Sequence, residues 1–98
     1  MNTRESYHNY MLRRMREEDA QPLPTENLSE ILIILMEECA EVQQCASKIL
    51  RFGIDEKNYT SLRKEVADLL EMIDRLHLGD LTTLKREKAI KLKTWSNL

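Results

Sequence analysis

The sequence predicts an all-α protein, a helical bundle completed by oligomerisation. Its 98 residues include only two Gly and two Pro, while Leu, Ile, Glu, Lys and Arg are abundant, a composition that favours helix over strand. Apolar residues recur in steps of three and four over long stretches, the period of one helix face. One stretch, containing "ILIILM" (Ile31 to Met36), is apolar on almost every side. Such a helix is normally buried against more than one neighbour, and in so short a chain the extra neighbours would come from a second subunit.

Residues 1–26 read as a polar tail and linker, with Tyr7, Tyr10, Met11 and Met15 outlining a weak amphipathic helix. "AQPLPTEN" holds both prolines, which keep the backbone extended. Residues 27–98 read as the helical domain. Asn27 followed by Glu30 resembles a capping box, so the first helix is expected from Leu28 to about Phe52, stopped by Gly53. Its inward stripe is expected to be Leu28, Ile31, Leu32, Leu35, Cys39, Val42, Ala46, Ile49 and Leu50, with Phe52 also in the core. After a loop, a second helix is expected from about Tyr59 to Leu78. Its seam, Leu62, Val66, Leu69, Ile73 and Leu76, steps by four, three, four, three. "LGDLTT" predicts a turn at Gly79 with Asp80 as a cap. A third helix, Thr82 to about Trp95, would turn Leu84 and Ile90 inward, with Leu81 and Leu92 as further candidates, among Lys85, Arg86, Lys88, Lys91 and Lys93.

Composition excludes several function classes. A net charge of −2 gives no bulk attraction for nucleic acid. The longest apolar run is too short to span a bilayer, and the N-terminus is polar, so a soluble cytoplasmic protein is expected, with no membrane partner. Cys39 and Cys45 point to different sides of one helix and have no zinc-ligand spacing, which reads as two free thiols. His8 and His77 read as surface residues.

The carboxylates are less ordinary. Glu37, Glu38 and Glu41 fall within five residues on the most apolar helix. At about 100° per residue, Glu38 and Glu41 share a face that continues to Cys45 and Lys48 and borders the apolar stripe. In "EVAD", Glu65 and Asp68 likewise sit one turn apart beside the second seam. Antiparallel packing of the two helices would bring four carboxylates together, an oxygen cage suited to Mg²⁺ or Mn²⁺. Solvated i,i+3 acidic pairs are the ordinary alternative. A di-iron site is disfavoured because Gln44 and Glu71 stand where Glu-x-x-His would need histidines.

"EECAE" followed after twenty-three residues by "EVAD" resembles the paired acidic motif of the all-α nucleoside triphosphate pyrophosphohydrolases, the superfamily of MazG, dimeric dUTPases, dCTP pyrophosphatases and phosphoribosyl-ATP pyrophosphatase. The resemblance runs from about Leu28 to Trp95 and is strongest to short MazG-like proteins of phage type, through "EECAEVQQ", "ASK", "RFG" and the "EVADLLEMI" helix. It implies a MazG-like fold and hydrolysis of a nucleoside triphosphate to the monophosphate and pyrophosphate, in nucleotide-pool control or sanitation. It implies that Glu38, Glu41, Glu65 and Asp68 ligate Mg²⁺ and that Glu37 supports the site or orients the attacking water. Lys48, Lys88 and Lys91 are then the candidates for binding the polyphosphate, with Arg51 and Phe52 near the base. A dimer or tetramer, in the cytoplasm (the host's if the chain is viral), follows from the same resemblance. Where some members of the family carry an Asn and an Arg-Tyr pair after the last lysine, this chain has Leu92 and Trp95. The alternative is a non-catalytic helical dimerisation or regulatory module of the same fold, its carboxylates solvated or paired with Lys48 and Arg63.

Overall fold

The structure, a computed structural model, describes residues 25–98 and the single position Asn9. The amphipathic segment expected around Tyr7 to Met15 lies outside these residues. Among the described residues there are three helices and no strand: α1 (Leu28–Phe52), α2 (Glu56–Asp74) and α3 (Thr82–Trp95). The all-α expectation is met. Contacts group Leu23–His77 into one unit, and Leu78–Leu98 falls in another.

Helices α1 and α2 form a hairpin joined by only three residues, 53–55, a link short enough to force antiparallel packing. At the end of α1 the Gly53 amide donates to the Ile49 carbonyl at 2.8 Å. Gly53 itself adopts φ 86°, ψ 166°, a backbone state that only glycine enters at little cost. Asp55 then caps α2: its carboxylate accepts from the Asn58 amide at 2.7 Å. The Asn58 side chain in turn donates to the Gly53 carbonyl at 3.1 Å, tying the link together. The second helix therefore starts three residues earlier than Tyr59, because Asp55 supplies a cap that a reading by apolar period alone passes over.

Two other boundaries differ from expectation. Asn27 sits in the left-handed region at φ 62° and makes no side-chain cap, so the capping box with Glu30 does not form. Asparagine tolerates that conformation, and the helix starts instead with the Ile31 amide donating to the Asn27 carbonyl at 3.0 Å. Helix α2 ends at Asp74 rather than Leu78: the Leu76 and His77 amides turn to the Ile73 and Asp74 carbonyls in tighter turns, and His77 is left-handed at φ 52°.

The packed stripe of α1 is also rotated from the expected one. Ile31, Ile34, Leu35, Glu38, Val42, Cys45 and Ile49 are half-buried, whereas Leu28, Leu32, Cys39, Ala46 and Leu50 are exposed. Leu50 is 88% exposed and Phe52 73%, so neither belongs to the core. Both stripes have helical period, and on a helix apolar nearly all round the period cannot select the packed side. On α2 the expected seam holds: Leu62, Val66, Leu69, Ile73 and Leu76 are all half-buried. Met72, which lies beside that seam, is the one buried residue among those described.

In the other unit, Asp80 accepts from both the amide (2.9 Å) and the hydroxyl (2.6 Å) of Thr82 at the start of α3, which holds its carboxyl below the usual range. Leu84 and Ile90 are exposed rather than inward-facing, while Leu81 and Leu92 are half-buried.

Candidate metal centre

Rotation of the α1 stripe has a direct chemical consequence. Glu38 does not border the packed face; it lies within it, one turn on from Ile34 and Leu35 and one turn before Val42. Opposite stand Glu65 and Asp68 of α2, both half-buried. One carboxylate oxygen from each of Glu38, Glu65 and Asp68 lies within 4.8 Å of the others. Two rigid helices joined by a short link hold this cluster, so its spacing is fixed by packing rather than by a loop.

The cluster is under electrostatic load. Glu38 Oε2 is buried and has no hydrogen-bond partner. Loss of water around Glu38 raises its pKa, and the negative charges of Asp68, Glu65 and Glu41 raise it further. Only Lys64 offsets them. Its ammonium contacts Asp68 at 3.1 Å and Glu65 at 3.5 Å. Those contacts, the Asp68 hydrogen bond first, raise the pKa of Lys64 in turn. One ammonium against three carboxylates leaves two negative charges uncompensated. A donor set made only of carboxylates, with an unpartnered buried oxygen on Glu38, fits a hard divalent cation.

The residues singled out in the sequence are thus distributed unevenly. The structure brings together Glu38, Glu65 and Asp68 and leaves Glu41 outside that group, exposed one turn along, though close enough for its charge to act on Glu38. Glu37 is exposed and also outside the group. Lys48 lies on α1 at a small cavity near the hairpin link, with Cys45, Lys57, Asn58 and Ser61. Lys88 and Lys91 are exposed on α3, where the Lys88 ammonium stands 5.0 Å from the centre of the Trp95 ring. The Arg51 guanidinium stands 5.3 Å from the Phe52 ring.

Lys64 was missed in the sequence, although its spacing from Asp68, four residues on, is the helical ion-pair interval. Ion pairs with Lys48 or Arg63, expected for a purely structural role, are not among those formed by the described residues. Among these residues, no helix is long and apolar enough to cross a membrane. Compared with known protein families, with characterised proteins and with solved structures, the chain matches none.

Proposed function

We propose that the chain is a Mg²⁺-dependent nucleoside triphosphate pyrophosphohydrolase of the MazG-like kind, acting as a homo-oligomer in the cytoplasm, with Mn²⁺ as an alternative cation. The observation that carries this reading is the three-carboxylate cluster, with two uncompensated charges and a buried, unpartnered Glu38 oxygen. The acidic motif's resemblance to that superfamily supplies the reaction class. Glu38, Glu65 and Asp68 would hold the cation, with Glu41 flanking them. When bound, the cation neutralises polyphosphate charge and acidifies a coordinated water. Water adds to the α-phosphorus, the bond from that phosphorus to the bridging oxygen breaks, and pyrophosphate leaves. Glu38, through a carboxylate oxygen not engaged by the cation, would take the proton of that water, as its unpartnered Oε2 supports. Glu37, on the adjacent exposed surface, would orient the water from outside the cluster, and Lys48 would face the polyphosphate.

One observation favours a second reading. Lys64 already pairs with Asp68 and Glu65, as it would in a non-catalytic dimerisation module whose acids serve only as surface ion pairs. A screen of common NTPs and dNTPs with Mg²⁺, products resolved by chromatography, separates the two. The enzyme is expected to release a nucleoside monophosphate and pyrophosphate from at least one of them. Folded protein that yields no monophosphate from any would leave only the module.

A further inference from the structure

The hairpin carries a seven-residue repeat that reaches beyond the cluster. Seven residues bring an α-helix back to within about 20° of the same direction, some 10 Å further along. From Glu38, seven residues lead forward to Cys45 and back to Ile31. From Glu65, seven lead back to Asn58 and forward to Met72. Because the helices are antiparallel, these positions meet in pairs. Cys45 and Asn58 line one cavity toward the link, and Ile31 and Met72 line another toward the open end. The carboxylate cluster lies between them on the same side of the hairpin.

The two cavities differ in chemistry. The one at the link, about 160 Å³, is lined by Cys45, Lys48, Lys57, Asn58 and Ser61, with two ammonium groups and no carboxylate. Neither Lys48 nor Lys57 makes an ion pair among the described residues. Asp55, two residues before Lys57, has its carboxylate engaged by the Asn58 amide. The volume is below the roughly 300 Å³ at which pockets begin to take whole small molecules, so it suits a charged group rather than a nucleoside. The open-end cavity, about 400 Å³, is mixed, with Ile31, Ile34 and Met72 beside Glu30, Glu71 and Arg75.

We infer that the link cavity is the seat of the pyrophosphate half of the substrate, held by Lys48 and Lys57 about two helical turns from the carboxylates. This fixes the substrate's direction along the hairpin and rests on the pyrophosphohydrolase reading above. Cleavage at the α-phosphorus requires the carboxylates to stand between nucleoside and leaving group. The lysine cavity takes the leaving group, and the larger, mixed open-end cavity takes the nucleoside. Two ammonium groups aimed at one oxyanion stabilise the charge that the leaving group acquires.

The test uses the full chain and inorganic pyrophosphate, titrated by calorimetry in chelator-treated buffer so that no cation bridges the ligand to the carboxylates. Wild type is expected to bind. Lys48→Met and Lys57→Met, both at exposed positions, should each weaken binding about tenfold or more, while Lys93→Met on α3 should leave it unchanged. Absence of binding in wild type, or equal binding by all three variants, overturns the inference. Lysine-dependent binding in a chain that hydrolyses no nucleotide would keep the pyrophosphate seat and remove the enzymatic reading. Hydrolysis with lysine-indifferent binding would do the reverse.

Discussion

Glu38 spends its charge in an unfavourable place, and that has a measurable cost. Its folded-state pKa is raised by burial and by Asp68, Glu65 and Glu41, so folding favours its protonated form. Stability from that preference is fully present below the free-glutamate value of about 4.3 and is lost as pH rises through the folded value. At neutral pH without metal, Glu38 therefore opposes folding. Glu38→Gln is expected to melt higher than wild type at pH 7 in chelator, with the gain vanishing toward pH 4, as followed by circular dichroism. Mg²⁺ should raise the melting temperature of wild type and leave the variant unmoved. A variant that melts lower at pH 7 would show that the carboxylate is better solvated than its position implies. The sequence revealed that Glu38 was unusual but placed it beside the seam. Its burial depended on which of two equally periodic stripes of α1 meets α2, and that is decided by the partner helix, not by α1 itself.

At the scale of elements, the link 53–55 sets the register of the two helices and hence of the cluster. Removing the Asp55 cap by Asp55→Ala should cost about 1 kcal/mol, read as a drop of several degrees in melting temperature. At Gly53 an added methyl group would meet no atom within 4 Å, so Gly53→Ala tests backbone strain alone. Its cost should be about 1–3 kcal/mol by chemical denaturation, with no change in the spectrum of the folded state. Local chemistry made parts of this legible. Gly53 as a helix stop and the α2 seam follow from residue type and period, and they hold. The Asp55 cap, the left-handed Asn27 and the early end of α2 depend on backbone geometry that period does not encode.

For the molecule as a whole, the described residues leave much apolar surface open. Met72 is the one buried side chain among them, while Met36 is 70% exposed and Leu28, Leu32 and Leu50 stay open along one flank of α1. The last three share a side of the hairpin with Tyr59 and Leu70 of α2, opposite the Glu41 side. Apolar surface of this extent is characteristic of an association face. The chain should sediment as a dimer or larger, with a melting temperature that rises with concentration. Leu32→Glu should shift it toward monomer in analytical ultracentrifugation and lower its stability. Wild type that remains monomeric at high concentration would count against the oligomer. The over-apolar "ILIILM" run gave the expectation of a partner, and this measurement tests it. Which side would remain open was not readable, for the same reason that misplaced Glu38.

The three-residue link also bears on the order of events as the chain folds. Closing so short a connection costs little chain entropy, and contacts within a helical hairpin form early and fast. All three carboxylates of the cluster lie on that one hairpin. The cluster is therefore assembled within one chain, by a unimolecular step. A cation captured at that stage would stabilise the nascent hairpin, so metal supply would act on the yield of folding as well as on the finished protein.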